Sequence, residues 1–253
     1  MFETLLPASV FSLLLVFVRV GAVMTLMPGV GDGFVMTRIR LLFALAFTGA
    51  VAPMVSPALP PLPQSVSVLF LLILGEFLVG LFLGSVAKIT MSALAIAGTV
   101  MSHMSALANA NVNSPISDQQ SSIVGSFLTL TGTVLLFALG LHALIFQALV
   151  DSYALFPPGA LPPIGDFAQQ IAQVVQDAFL LGVQIGAPFL SVGLLLYTLM
   201  GILGRLMPQV QIFLVALPLQ ILGGVTILLL ALPALMAWFA GAFRDTILPF
   251  TSG

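Results

Sequence analysis

Residues 66–87 read VSVLFLLILGEFLVGLFLGSVA, an apolar run with a single charge, Glu76, near its middle. A helix needs roughly 20 apolar residues to cross hydrocarbon, and this run has that length. Strands of a membrane barrel would instead show segments of about ten residues with alternating polarity. The run therefore reads as a helix surrounded by lipid or by equally apolar protein. On its N-terminal side stand Pro53, Pro57, Pro60, Pro61 and Pro63; on its C-terminal side stands Lys88.

The same reading extends in both directions. Leu5 to Met27 is apolar with Arg19 inside, and Pro28, Gly29, Gly31 and Gly33 close it. It has no basic segment before it and no small-residue cleavage site after it, so it is expected to be a retained helix rather than a signal peptide. Ile39 to Val55 is a second run, which the proline cluster is expected to end. Beyond Lys88, Ile89 to Ala108 is weaker and rich in Ser, Ala and Gly. Residues 109–120 (NANVNSPISDQQ) are polar and read as a loop. Ser122 to Val150 is long and apolar and contains His142. A proline-marked polar stretch, Asp151 to Asp177, precedes Phe179 to Leu203 and then Gln209 to Phe243. Pro188, Pro208, Pro218 and Pro233 are expected to interrupt helices there.

Composition agrees. Of 253 residues 60% are hydrophobic and 6% are charged, against about 25% charged in an average soluble domain. A soluble globule of this size could not cover itself. The mean hydropathy is +1.23, with a net charge of −2 and a pI near 5.4. A basic nucleic-acid footprint is absent. With no cysteine, disulfides, thiolate metal sites and cysteine nucleophiles are excluded. No composition shift marks a boundary, so residues 1–253 read as one domain.

Lys and Arg favour the cytoplasmic side of short loops. With the N-terminus outside, Arg38 and Arg40 fall inside, the proline-rich loop outside and Lys88 inside. A full crossing by residues 89–108 would put Arg205 outside. A segment 89–121 that enters and returns, as a helix hairpin or re-entrant segment, restores the parity. Irregular backbone at membrane depth is tolerated only against protein or a water-filled cavity. Asn109, Asn111, Asn113, Ser114, Asp118, Gln119 and Gln120 then read either as an exposed loop or as a plug lining a conduit.

No catalytic constellation emerges. The two histidines, His103 and His142, lie on different segments and lack the HExxH spacing of a zinc protease. Ser85 and Ser126 each follow a glycine, but neither sits in a Gly-x-Ser-x-Gly turn. Charges within apolar runs are costly and face partners or water. Glu76 reads as part of a buried ion pair, as a proton-relay or gating group, or as a residue facing a partner subunit. Arg19 is a candidate partner for it. His142 reads first as a packed, hydrogen-bonded residue. Gly80 and Gly84, Gly182 and Gly186, and Gly201 and Gly204 have the spacing of close helix contacts.

Taken in order, several segments resemble a known family. They are Arg19-Val20-Gly21-Ala22-Val23-Met24 with Met27-Pro28-Gly29, Arg38-Ile39-Arg40-Leu41-Leu42-Phe43, and Gly75-Glu76 with Gly80 and Gly84. Gly140-Leu141-His142 with Asp151-Ser152-Tyr153 and Pro157-Pro158-Gly159 follow, then Gly204-Arg205-Leu206-Met207-Pro208-Gln209-Val210-Gln211. Over residues 5–243 the chain resembles the FliR family of type III export-gate proteins, flagellar branch. The resemblance implies an all-α polytopic membrane fold of helix hairpins with broken helices and a plug-like central loop. It implies a non-catalytic, cofactor-free gate subunit in the bacterial inner membrane at the flagellar basal body. Such a subunit assembles with FliP-like and FliQ-like proteins, near FlhB-like and FlhA-like proteins, and stands partly above the membrane plane. The gate passes unfolded flagellar substrate proteins, driven by the proton-motive force and a separate ATPase. The family's plug maps onto Leu107 to Gln120, with Ser114-Pro115 where many relatives carry Asp-Pro. Arg205, Pro208 and Gln209 belong to the most specific block. A virulence-type secretion gate and a small-solute transporter or channel are the alternative readings.

Overall fold

A computed structural model describes residues 2–107, 122–160, 162–207 and 212–251, with backbone alone for 2–9 and 212–215. Among the described residues seven α-helices carry the fold: α1 (Phe2–Leu26), α2 (Thr37–Val55), α3 (Val66–Met104), α4 (Ile123–Ala138), α5 (Leu141–Leu155), α6 (Ile164–Leu206) and α7 (Ile212–Ile247). Short 3-10 turns follow α2 and α7, and no strand occurs among the described residues. The chain is a polytopic all-α membrane protein. Among the described residues four helices are long and apolar enough to cross a membrane, and the bent pair α4–α5 makes up to five.

Several helix boundaries differ from the sequence expectation. The runs on either side of Lys88 are one 39-residue helix, α3. Lys88 is an exposed residue within it and marks no loop, so the charge-parity argument loses that point. An isolated Lys with good helical neighbours does not end a helix, and only Gly, Pro or a cap would have done so. Prolines also prove weaker than expected. Pro53, Pro188, Pro218 and Pro233 lie inside α2, α6 and α7. Buried or apolar helices tolerate proline where neighbouring groups satisfy the freed carbonyls. Pro208 lies outside the described residues. The apolar run from Ser122 to Val150 is broken instead at Leu139-Gly140, where Gly140 adopts φ 72. That left-handed conformation favours glycine.

The contacts group into two compact units. One holds residues 1–90, 136–175 and 243–253. Here α1 packs on α2, and α2 buries Ala44, Thr48, Val51, Ala52 and Val55, a single stripe at helical spacing. Phe82 stacks on Phe167 at 4.1 Å and meets Phe156 and Phe250 edge-on.

The other unit holds residues 91–135 and 176–242. Gly98 touches Gly125, and Gly132 faces Leu94 and Met91. The numbering rises along one arm as it falls along the other, so residues 91–104 and α4 form an antiparallel hairpin. The hairpin expected within residues 89–121 is therefore corrected: residues 89–104 continue α3, and the antiparallel partner of 91–104 is α4, which lies beyond that segment. On α6, Gly182 packs at Ala93 and Ile96, Gly186 at Val100 and Gly193 at Met104, in parallel register with α3.

The long helices constrain placement. At roughly 1.5 Å per residue, α3, α6 and α7, with 39, 43 and 36 residues, run about 58, 64 and 54 Å. A hydrocarbon core is about 30 Å thick. Leu194, Leu195 and Leu199 on α6 and Leu222, Leu229 and Leu230 on α7 are more than half exposed. Exposed apolar sides of this kind mark contact with lipid or with other protein.

Candidate functional site

The charges buried in the first unit meet at one place. Arg19, on α1, is 1% exposed, and Glu76, on α3, is 2% exposed. Arg19 Nε donates to Glu76 Oε2 at 2.6 Å, and Nη2 donates to Oε1 at 3.1 Å. This is the bidentate fork that guanidinium and carboxylate favour. Nη1 donates to Ser152 Oγ and Nη2 to the Phe156 carbonyl, both at 3.0 Å. The Tyr153 ring lies 4.0 Å from the guanidinium carbon, in cation–π geometry. Ser152 Oγ donates a hydrogen bond to the Leu149 carbonyl at 2.6 Å. One arginine thus ties α1, α3 and the C-terminal end of α5 together.

Local sequence builds this node. Gly80 lies one turn beyond Glu76 on α3, against the Arg19 carbonyl, and its added Cβ would come 2.8 Å from Ala22 Cβ. Gly84 continues the contact at Leu26 and Val23. These two glycines let α1 and α3 approach closely enough for the fork to close. Beside it lies a cavity of about 280 Å³ between α3 and the loop after α5. Val68, Leu72 and Val79 line its α3 side, Phe156, Pro157 and Pro162 the loop side, and Arg19 and Glu76 also contribute. The walls are mostly apolar, and the two charges neutralise each other.

The pairing of Arg19 and Glu76 anticipated from sequence is realised. Ser152, Tyr153 and the Phe156 carbonyl were missed as its partners. The polar triplet Asp151-Ser152-Tyr153 in an apolar run was the available signal. His142 stands apart from the node, with its ring 5.1 Å from that of Phe137 and 6.2 Å from that of Phe146. Its buried Nδ1 has no hydrogen-bond partner among the described residues. Arg205 is exposed in the last turn of α6. His103 is exposed, and its carbonyl accepts from Tyr197 Oη at 3.3 Å. Leu107 is half-buried just past the end of α3. Asn109, Asn111, Asn113, Ser114, Pro115, Asp118, Gln119, Gln120, Pro208 and Gln209 lie outside the described residues. Among the described residues no three His, Asp or Glu side chains gather as a metal site would require.

Comparison with known proteins places this architecture. The family described as bacterial export proteins, family 1, matches residues 10–246. The chain is 37% identical over 237 residues to the flagellar biosynthetic protein FliR of Caulobacter vibrioides, covering 94% of each chain. It is 30% identical to that of Aquifex aeolicus, over 92% of this chain and 90% of the relative. It is 29% identical to the Yop proteins translocation protein T of Yersinia pestis, over 60% and 59% of the two chains.

Proposed function

This chain belongs to the bacterial export proteins, family 1, and from that premise we propose that it is a non-catalytic subunit of the flagellar type III protein-export gate. It helps form and close the conduit through which unfolded flagellar proteins leave the cytoplasm. The carrying observation is the length of α3, α6 and α7 together with their exposed apolar sides. Such surfaces call for covering subunits, and the partners of the proposal are FliP-like and FliQ-like proteins with FlhB-like and FlhA-like neighbours. Its place is the inner membrane at the flagellar basal body, with residues 1–253 acting as one export-gate domain.

The flagellar branch is favoured over the virulence branch by near-complete coverage of the flagellar relatives, against 59% of the Yersinia protein. A solute transporter with Glu76 as proton carrier is disfavoured by the fork with Arg19, which holds the carboxylate in a closed, neutral pair. In this mechanism residues 107–120 plug the idle gate and move aside for a substrate chain.

The test is affinity purification of the tagged chain in mild detergent, co-expressed with its neighbouring genes. A large complex containing FliP-like and FliQ-like proteins is expected. A stable monomer or homodimer without them would overturn the proposal.

A further inference from the structure

The turn between α1 and α2 is built rigidly. Met27 is fully buried, and its carbonyl accepts from the Gly31 amide at 2.7 Å and the Val30 amide at 3.2 Å. The Gly29 amide donates to Asp32 Oδ2 at 2.8 Å. Arg40 closes the turn from the other side. Its Nε donates to the Val30 carbonyl at 2.8 Å and its Nη2 to the Asp32 carbonyl at 3.0 Å. The two arginines at the start of α2 are therefore not equivalent. Arg40 is spent on loop carbonyls, whereas Arg38 is exposed and makes no ion pair or hydrogen bond among the described residues.

What this rigid turn displays is unusual for a loop. Phe34 is 77% exposed and Met36 73%, four and two positions before the unpaired Arg38 in sequence. The candidate span that begins at Thr37 runs 22 residues to Ala58, about 33 Å at helical rise, close to one hydrocarbon thickness. A span of that length, laid across the bilayer, would put its N-terminal end and Arg38 at a membrane boundary. The opposite end, residues 59–65 (LPPLPQS), carries no charge, so the cation distinguishes one leaflet from the other.

We propose that the 33–38 turn is a lipid-interface anchor, with Phe34 and Met36 in the acyl boundary and Arg38 on the phosphate of an anionic phospholipid. A layered solvent with an anionic sheet above hydrocarbon complements an apolar tip beside an exposed cation. A rigid turn enters it without further loss of backbone entropy. The inference rests on the membrane class and on this turn, not on the export reading.

The absence of cysteine makes the test direct. Phe34→Cys or Met36→Cys in the full chain is labelled with an environment-sensitive fluorophore. The protein is placed in nanodiscs of phosphatidylcholine alone or of phosphatidylcholine with phosphatidylglycerol. The unsubstituted chain, carried through the same labelling, gives the background. Nitroxide on the lipid acyl chains is expected to quench the label, and a water-soluble nitroxide is not. Phosphatidylglycerol is expected to deepen the label. Arg38→Gln is expected to remove that dependence, a loss of about fivefold in anionic-lipid preference, and Arg38→Lys to retain most of it. Quenching from water alone, or from neither side as under a protein cover, would overturn the proposal. So would a phosphatidylglycerol effect that survives Arg38→Gln. Two label positions keep the test open if one variant fails to fold.

Discussion

Arg19 and Glu76, 57 positions apart in sequence, meet in a bidentate fork with Nε 2.6 Å from Oε2 and Nη2 3.1 Å from Oε1. The pair is almost fully buried, and its free energy is a balance. Removing two ions from water costs several kcal/mol each, and the mutual attraction offsets this only with good geometry and further hydrogen bonds. Ser152 Oγ and the Phe156 carbonyl supply those bonds. The pair therefore serves more to fix which face of α1 meets α3 and α5 than to add stability.

That balance makes single and double substitutions behave differently. Arg19→Met or Glu76→Leu alone strands an unpaired buried charge, with an expected loss of about 3–5 kcal/mol. The double variant removes both charges and is expected to recover most of that loss, short of the bonds that Ser152 and Phe156 forfeit. Thermal denaturation of the purified protein in detergent reads the difference. A folded double variant that still supports export would also remove Glu76 as an obligatory proton carrier. A double variant as unstable as the worse single one would refute this account of the pair.

Glycines of equal appearance in α3 separate by what they face. Gly80 meets the Arg19 carbonyl and Ala22, whereas the nearest atom to a Cβ on Gly75 is Pro162 Cδ at 3.8 Å. Gly80→Ala is expected to force α1 away from α3 and cost about 1–3 kcal/mol. Gly75→Ala is expected to be neutral or to gain up to about 1 kcal/mol from helix propensity. Membrane-inserted protein level and thermal midpoint check the contrast, and equal effects at the two positions would contradict the observed α1–α3 approach.

The all-helical membrane class was legible because it is a property of composition and run length, which no packing detail can reverse. The Arg19–Glu76 pairing was legible as a candidate because two lone charges in apolar runs have few other partners. Helix boundaries were less so. Lys88 looked like a loop because a charge between two spans usually is one, but α3 continues past it beyond bilayer thickness. Pro218 and Pro233 looked like breaks, and α7 absorbs both. The true break, Gly140, sat inside a run whose hydropathy hardly changes, and only its positive φ identifies it. The partners of Arg19 on α5 depend on a tertiary approach that periodicity does not encode.

The antiparallel hairpin of residues 91–104 and α4 has a covalent test. A Cβ on Gly125 would lie 3.7 Å from Ala95 Cα, within the reach of a disulfide. In this cysteine-free chain, Ala95→Cys with Gly125→Cys is expected to oxidise to an intramolecular bond. It would appear as a gel-mobility shift abolished by reductant. Ala95→Cys paired with Thr131→Cys, further along α4, is expected to form far less. Equal yields from both pairs would argue against the register.

The hairpin also gives the proposed plug its physical sense. Its two arms are held by glycine contacts at Gly98, Gly125 and Gly132, so shortening the sequence between them is expected to leave the arms packed. Residues 109–120 are polar and nearly uncharged, with Asp118 their sole ionisable group, a composition suited to filling a wet constriction without binding ions tightly. Replacing residues 109–118 by a short Gly-Ser linker is therefore expected to preserve the co-purified complex while raising the ion permeability of cells that express it. Membrane-potential dyes and salt-sensitive growth read this. Loss of the complex would show that the segment serves assembly, and an intact complex with no added leak would remove the plug from the mechanism.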